Sequence, residues 1–134
     1  MIRKAKNSEI AKIKKLVDSL EEMDTIPNTF PEEYYRRILR KGILFVAIED
    51  NKLIGVCFGS YNTKEKWADL LGLVVKEKFR KKGIGSELVK KFEKIIKEKE
   101  LNTIDLYADK TQIKLFEKLC YKQGRTYTSF RKKF

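Results

Sequence analysis

A run of cations that leads into two closely spaced glycines is the part of this sequence best suited to hold a ligand. Residues 76–82 contain five lysines and arginines and one acid. At Gly83 and Gly85 no Cβ keeps an anionic group away from the backbone. Apolar residues then recur at helical spacing, which predicts a helix that begins near Ile84. Because the first N–H groups of a helix are unpaired and attract negative charge, the stretch predicts a site for a pyrophosphate.

Three kinds of glycine-rich loop place glycines before a helix. A phosphate loop of the nucleotide-hydrolase kind needs Gly-Lys-Ser/Thr, but Gly85 is followed by Ser86, which excludes it. A dinucleotide fingerprint needs a small residue where Leu88 stands, although Asp105 lies about where its ribose-binding acid is expected. The third pattern, Arg/Gln-x-x-Gly-x-Gly/Ala, is met by residues 80–85. The order of the surrounding elements decides between this ligand loop and an ordinary glycine turn.

Hydrophobic periodicity divides the rest of the chain into short strands and amphipathic helices. Asp50 and Asn51 separate two apolar segments and predict a β-hairpin. The predicted strands are residues 1–5, 43–48, 53–61, one from near 67 to 75, 104–108 and one or two within 121–134. The predicted helices begin near residues 8, 31, 84 and 111. The order β-α-α-β-β-β-α-β-α-β predicts a single α/β domain over residues 1–134 with a mixed sheet.

A second motif lies near the end of the chain, at residues 109–121. It keeps the spacing of the pattern Asn-x-x-Ala-Ile-x-Leu-Tyr-Glu-Lys-Leu-Gly-Phe, with Asp109 at the asparagine, Phe116 at the tyrosine and Cys120 at the glycine. Together with the loop of residues 80–85 and the order of the elements, it makes the whole chain resemble the Gcn5-related N-acetyltransferase (GNAT) family. The resemblance implies the acetyltransferase fold, in which helices flank a twisted, mixed and mostly antiparallel sheet.

The resemblance also implies an activity, the transfer of an acetyl group from acetyl-coenzyme A to a primary amine that attacks the thioester directly. The amine would belong to a small molecule, a lysine or a protein N-terminus, and no metal takes part. The strand that ends at Val75 would offer backbone groups to the pantetheine arm, and the glycine loop would hold the pyrophosphate. The implied coenzyme-binding residues are Leu73, Val74, Val75, Arg80, Lys81, Lys82, Gly83, Ile84, Gly85, Ser86, Asp109 and Phe116.

Two aspartates are candidates for the catalytic base that takes the proton of the amine. Asp69 lies eleven residues before Arg80, where histone-acetylating members of the family carry a glutamate that acts through water. Asp105 lies one residue away from the position of a glutamate in relatives that acetylate protein N-termini. We prefer Asp69 because its spacing needs no gap. The alternative is that Asp69 is only a solvated charge at the start of a strand.

A general acid is harder to identify than a base. Family members often use a tyrosine at the position of Phe116, and phenylalanine has no proton to donate. Tyr107 or Tyr121 could replace it, although packing is the simpler role for each. Alternatively no acid is needed, because a thiol with a pKa of about 8.5 is a tolerable leaving group near neutral pH.

Composition limits the other classes of function. The net charge is +12, which favours anionic partners such as coenzyme A. No helix-turn-helix, zinc or RNA-binding motif accompanies that charge, so nucleic acid is disfavoured as a partner. The sequence has no histidine and two cysteines, which excludes histidine-dependent triads and a four-cysteine zinc site. No apolar segment suits a signal peptide or a membrane span, so we expect a cytoplasmic protein without a membrane partner.

The acceptor site is the least defined part of the sequence. By resemblance it lies between the first helices and the terminal strands, lined by residues 24–35 and 126–130. Phe30, Tyr34 and Tyr35 either border it or belong to the core. Acidic residues cluster nearby, which favours a cationic acceptor such as a polyamine, a lysine or a peptide N-terminus. These acids are Glu21, Glu22, Asp24, Glu32 and Glu33.

Two other classes of function stay open, and so does the oligomeric state, for which a homodimer is one arrangement. Phe116 and the lack of a strong base are compatible with a coenzyme-binding sensor or subunit that has no activity. The charge and the basic, acid-free residues 121–134 are compatible with a nucleic-acid-binding module. Thioester turnover would separate the enzyme from the sensor, and retention on a polyanion would reveal the module.

Overall fold

The computed structural model describes residues 1–21, 29–128 and 130–134, and in them the chain forms five strands and four helices. The strands are β1 (Ile2–Lys4), β2 (Ile43–Glu49), β3 (Lys52–Asn62), β4 (Trp67–Val75) and β5 (Thr103–Leu106). The helices are α1 (Ile10–Glu21), α2 (Glu32–Lys41), α3 (Ile84–Glu98) and α4 (Ile113–Lys118), with 3-10 turns at Asn7–Glu9 and Glu77–Phe79. The predicted α/β fold is confirmed.

The five strands form one sheet in chain order. β1 to β4 pair antiparallel, and β5 runs parallel to β4 after the crossover through α3. The β2–β3 hairpin turns at Asp50 and Asn51, whose φ angles are 49° and 61°. Positive φ at both central residues is the turn geometry that two-residue hairpins prefer, and Asp and Asn tolerate it. The predictions of this hairpin and of a mostly antiparallel mixed sheet are therefore confirmed.

Different helices cover the two faces of the sheet. On one face α1 and α2 form a core with the inward side chains of β2 and β3, which includes Ile13, Tyr35 and Phe58. On the other face α3 and α4 form a second core that includes Phe92 and Cys57. Cys57 is fully buried, and burial raises the pKa of its thiol, so it is a core residue. Because alternate strand residues face opposite helices, each position on β4 has a defined side.

The predicted strands at the end of the chain are wrong for the residues that the structure describes there. Residues 121–128 and 130–134 contain no strand. Three large side chains of this tail are exposed, with Tyr127, Phe130 and Phe134 at 69%, 90% and 109%. Their polar-aromatic alternation suits a strand, but a strand is stable only with a neighbour that accepts its hydrogen bonds. The tail also has several cations and no acid, so charge repulsion disfavours its packing.

Candidate active site

β4 and β5 separate halfway along β4. Residues 67–70 of β4 pair with residues 103–106 of β5, where β5 ends, whereas β4 continues to Val75. The pairing of β4 with β3 shifts register between Phe58 and Gly59, so that it skips Leu71. Such a bulge bends a strand and increases its twist. A cleft therefore opens along the second half of β4, on the side where β5 no longer follows it.

The backbone of β4 presents alternate residues to this cleft. The Lys76 N–H donates to the Ile54 carbonyl of β3 over 2.8 Å. In an antiparallel pair, alternation then turns the polar groups of Val74 toward β3 and those of Leu73 and Val75 toward the cleft. Of the three strand residues that the sequence predicts for coenzyme binding, Leu73 and Val75 are therefore the two whose backbone groups face the cleft.

Two side chains already meet the carbonyl groups that face the cleft. The Gln112 Nε2 donates to the Leu73 carbonyl over 2.8 Å, and the Arg80 Nε donates to the Val75 carbonyl over 2.9 Å. Gln112 is the residue before α4, so its side chain bridges the two sides of the cleft. The sequence motifs do not predict this contact. The one sign of it in the sequence is Gln112 itself, a long polar side chain at the position where the family pattern has alanine.

The loop after β4 has the geometry of an anion-binding turn. Lys81 and Gly83 adopt left-handed φ angles of 62° and 84°, and α3 begins at Ile84 as predicted. The Glu87 N–H bonds the Gly83 carbonyl over 3.0 Å, so the N–H groups of residues 84–86 precede the first intrahelical bond. Unpaired N–H groups at a helix N-terminus bind anions such as a pyrophosphate. Lys82 lies over the ring of Phe79, 5.5 Å from its centre.

The two glycines of the loop serve different purposes. A Cβ on Gly83 would meet no atom within 4 Å, but its φ of 84° strains any other residue. A Cβ on Gly85 would meet side-chain atoms of Leu115 at 3.5 Å and of Leu73 and Val75 at 3.8 Å, which is ordinary contact. Gly83 is thus required by its conformation, and Gly85 leaves space on the inner side of the loop. That a bulky side chain at Gly85 would block an anionic group stays a prediction.

Asp69 and Asp105, which the sequence offers as alternatives for the base, are neighbours in the structure. They are Cα partners in the pairing of β4 with β5, so their backbones lie about 4.8 Å apart. Both side chains are exposed. Asp69 faces away from α3, because Ala68 and Leu70 on either side of it are buried in the α3 core, and partners in a sheet share a face. Since the pairing of β4 with β5 ends at Leu70, the two carboxylates lie at the head of the cleft, the end where the two strands begin to separate.

Tyr107 and Tyr121 are the two tyrosines that could replace a missing general acid, and Tyr121 is hydrogen-bonded to a residue of α3. Phe116 is buried, and its ring meets the edge of Tyr121, with centres 5.3 Å apart. The Tyr121 hydroxyl donates to the Glu93 carboxylate of α3 over 2.9 Å. Burial and this carboxylate both raise the pKa of Tyr121 well above its ordinary value. Tyr107 is 82% exposed, and its ring packs edge-on against Tyr127. Tyr121 therefore has the packing role that the sequence also allows.

Asp109, predicted to bind coenzyme, has a local structural role. Its carboxylate accepts from both the N–H and the hydroxyl of Thr111. Its carbonyl accepts from the Gln112 N–H over 3.1 Å. Asp109 thereby forms the turn that starts α4, as short acidic side chains commonly do, and it fixes the position of Gln112 in the cleft.

The acidic region expected to attract a cationic acceptor is described in part. Residues 22–28, which include two of its acids, lie outside the described residues, as does residue 129 of the second predicted lining segment. Glu32 pairs with Arg36 over 3.4 Å and Glu33 with Arg40 over 3.2 Å. Arginines of the same helix, α2, therefore balance the negative charge of these two acids.

The aromatic residues of this region pack mainly with the core. Tyr35 is fully buried, and its ring lies 5.6 Å from that of Phe58 in an edge-on arrangement. Phe30 stacks on Tyr34 with 4.2 Å between ring centres, and both pack against the α1–α2 core. Of the two roles that the sequence leaves open for these rings, the core role is the one observed.

No group of histidine, cysteine, aspartate or glutamate side chains among the described residues is arranged to hold a metal ion. No described helix is long and apolar enough to cross a membrane.

Several solved structures with the same fold are acetyltransferases. An aminoglycoside acetyltransferase from an uncultured soil metagenomic sample, in complex with sisomicin, is 18% identical, with coverage of 99% of this chain and 96% of that one and a TM-score of 0.75. Aminoglycoside N-acetyltransferase AAC(6')-Iy in complex with CoA is 18% identical over 100% of both chains, with a TM-score of 0.77. An acetyltransferase of Trypanosoma brucei is 15% identical over 98% of both chains, with a TM-score of 0.81. At these identities the likeness shows the fold.

Sequence comparison identifies the family. Curated protein sequences gave no match to this chain. The model of the acetyltransferase (GNAT) family matches residues 13–120, which include β4, the glycine loop, both aspartates and all but the last residue of the second motif. The chain therefore belongs to the acetyltransferase (GNAT) family, and it is an N-acetyltransferase with acetyl-coenzyme A as its cosubstrate.

Proposed function

We propose that this enzyme acetylates a primary amine by direct attack on the thioester, at the point where β4 and β5 separate. The observation that carries the proposal is the pairing of Asp69 with Asp105 at the head of a cleft whose other end is the glycine loop. One strand thus connects a place for the reacting amine with a place for the pyrophosphate.

The length of β4 suits the coenzyme. Asp69 and Val75 are six residues apart, which corresponds to about 20 Å along a strand. In the proposed complex the N–H groups of residues 84–86 bind the pyrophosphate, and the pantetheine arm extends along Leu73 and Val75. The thioester then reaches toward Asp69. Arg80, Lys81 and Lys82 add positive charge at the end of the strand where the coenzyme is most anionic.

The two aspartates provide the proton acceptor. An amine attacks only in its neutral form, so the ammonium must lose a proton before or during attack. Asp69 accepts this proton, directly or through one water, while Asp105 holds negative charge beside the cation. The nitrogen then bonds to the carbonyl carbon, the carbon–sulfur bond breaks, and the products are an amide and the thiolate of coenzyme A. No described tyrosine is needed for this step, because the thiolate is a tolerable leaving group.

The same pair of carboxylates favours a cationic acceptor. Neither aspartate forms an ion pair with a described residue, so their charge is available to a ligand. Glu32 and Glu33 offer less because of their arginine partners. A diamine, a polyamine or an aminoglycoside has an ammonium group beside the reacting amine. Sisomicin, bound by one neighbour, is of this class, and we include it among the acceptors to be tested.

The experiment is an assay of thioester consumption with acetyl-coenzyme A and a panel of polyamines, aminoglycosides, lysine peptides and acidic amines. With the best acceptor, Asp69→Asn should lower kcat/KM by about 100-fold, as the loss of a general base commonly does. The affinity for coenzyme should stay within about twofold. Glu65→Gln is the matched control, because Glu65 is an exposed acid in the β3–β4 turn.

Three results would contradict the proposal. Equal activity of Asp69→Asn and Glu65→Gln would remove Asp69 as the base. A preference for acidic amines would contradict the proposed class of acceptor. Tight coenzyme binding without turnover of any amine in the panel would favour a role as a sensor.

A further inference from the structure

The tail of the chain, residues 121–134, has no part in the proposed function. Its start is anchored, because the Tyr121 hydroxyl donates to the Glu93 carboxylate and the Tyr121 N–H donates to the Phe116 carbonyl, each over 2.9 Å. Further along, the ring of Tyr127 packs edge-on against Tyr107, with ring centres 6.0 Å apart. Every described residue from 122 to 134 is exposed. The tail is therefore a surface segment that is attached to the fold and whose side chains are open to a ligand.

Exposed aromatic rings are concentrated in and beside the tail. Among the described residues five aromatic side chains are exposed, and three of them belong to the tail, namely Tyr127, Phe130 and Phe134. A fourth, Tyr107, is the ring that Tyr127 contacts. An exposed ring forgoes the free energy that its burial would release, and several such rings close together commonly mark a binding surface.

The tail also differs from the rest of the chain in charge. Glu117 is the last acid of the sequence, and residues 118–134 form the longest stretch without an acidic side chain. Residues 34–48 and 51–64 lack acids as well, but they include the buried strands β2 and β3, and two arginines of the first stretch pair with glutamates of α2. Of the three stretches, only the last is exposed along most of its described length.

Rings and cations alternate along the tail. Arg131 follows Phe130 directly, and the Lys132 ammonium lies over the ring of Phe134, 5.2 Å from its centre. Proteins bind single strands of nucleic acid with these two kinds of group, because cations contact the phosphates while aromatic rings stack on unpaired bases. A duplex offers its phosphates but keeps the faces of its bases stacked inside. The cations of the tail are Lys122, Arg125, Arg131, Lys132 and Lys133.

An anionic membrane is the other partner that basic and aromatic residues can suit. A segment that lies on a membrane, however, is typically an amphipathic helix with a continuous apolar face. The described residues of the tail form no helix, and residues 122–134 contain no leucine, isoleucine, valine, methionine or tryptophan. Isolated rings between polar residues therefore favour stacking on bases over insertion among lipids.

We propose that the tail binds single-stranded nucleic acid, with its rings stacked on the bases and its cations beside the phosphates. The sequence as a whole disfavours nucleic acid because no folded recognition motif accompanies the charge, but stacking and phosphate contacts need no such motif. These contacts also carry little sequence information, so the site has a low sequence preference. The proposal does not rest on acetyl transfer.

Fluorescence anisotropy of a labelled single-stranded RNA of about 12 nucleotides tests the proposal on the full chain. The ring variant is Phe130→Leu with Phe134→Leu, which keeps two apolar side chains and removes their flat faces. The loss of two stacked bases should weaken binding by about 30-fold. Trp67→Leu is the matched control, because it removes an exposed ring outside the tail, and it should bind RNA as wild type does.

The charge variant is Arg125→Ala with Lys132→Ala and Lys133→Ala. Its matched control removes three exposed lysines outside the tail, Lys4→Ala with Lys64→Ala and Lys94→Ala. Because three phosphate contacts are lost, the slope of log affinity against log salt concentration should fall in magnitude by about 2 in the charge variant. The control has the same net charge and should keep the wild-type slope.

Four results would overturn the proposal. The first is that wild type does not bind the single strand near physiological salt, and the second is that either tail variant binds it as tightly as its control. The third is that duplex RNA of the same sequence binds as tightly as the single strand. The fourth is full competition by coenzyme A, which would place the RNA at the glycine loop. Binding of phosphatidylserine vesicles without binding of RNA would assign the tail to a membrane surface instead.

Discussion

The two halves of β4 have different neighbours and therefore different roles. Residues 67–70 are paired with β3 on one side and β5 on the other, whereas residues 72–75, beyond the bulge at Leu71, are paired with β3 alone. The first half holds Asp69 in a fixed place beside Asp105. The second half turns the backbone groups of Leu73 and Val75 to the cleft and leads into the cations. A strand with one free edge can thus bind a ligand through its backbone while its fully paired part positions a side chain.

The largest effect should follow from a change at the end of the second half. Gly83→Val forces a β-branched residue into a left-handed conformation and disturbs the start of α3. We expect its affinity for coenzyme A to fall by about 100-fold, because the N–H groups of the first turn would no longer converge on the pyrophosphate. Calorimetry measures this. Gly85→Ala is the matched change, and its Cβ makes only ordinary contacts, so its affinity should stay within about threefold. Equal losses in both variants would show that conformation is not what the loop requires.

A smaller effect, of opposite sign, is expected in the cleft itself. Gln112→Ala removes the hydrogen bond to the Leu73 carbonyl, which a pantetheine amide would otherwise have to displace. A hydrogen bond contributes about 1 kcal/mol, so coenzyme A should bind about fivefold more tightly. A weaker affinity would mean that Gln112 holds the cleft open or contacts the coenzyme. Thermal unfolding of the variant checks that α4 keeps its position.

The smallest effect is expected at Tyr121, which lies outside both halves of β4. Tyr121→Phe removes the hydrogen bond to Glu93 and should lower the free energy of unfolding by about 1 kcal/mol. The value of kcat should stay within about twofold, and a tenfold loss would return Tyr121 to the reaction as an acid.

The pH dependence of stability provides a second check on Tyr121. Burial and Glu93 raise its pKa above the ordinary value of 10.0, so the folded protein keeps a proton that the unfolded chain loses. The contribution of this group to stability is complete below about pH 10 and declines as the pH rises further. Denaturant unfolding between pH 9 and 11 should therefore show a shallower decline for Tyr121→Phe than for wild type.

Local features were the predictable part of the site. The glycine loop follows from the conformational freedom of Gly83 and the apolar spacing of α3, and the hairpin follows from Asp50 and Asn51. The register that places Asp69 beside Asp105 depends on how α3 packs between the two strands, which no local pattern records. The tail shows the converse, since its alternation predicts a strand and the described residues form none. The bond from Gln112 to Leu73 spans 39 residues, and only the packed fold determines it.

A crystal structure with coenzyme A bound would test the division of β4 most directly. The proposed division of β4 predicts that the pyrophosphate lies on the N–H groups of residues 84–86, that the pantetheine follows Leu73 and Val75, and that the sulfur lies beside Asp69. A pyrophosphate bound away from the loop, or a sulfur distant from both aspartates, would contradict it.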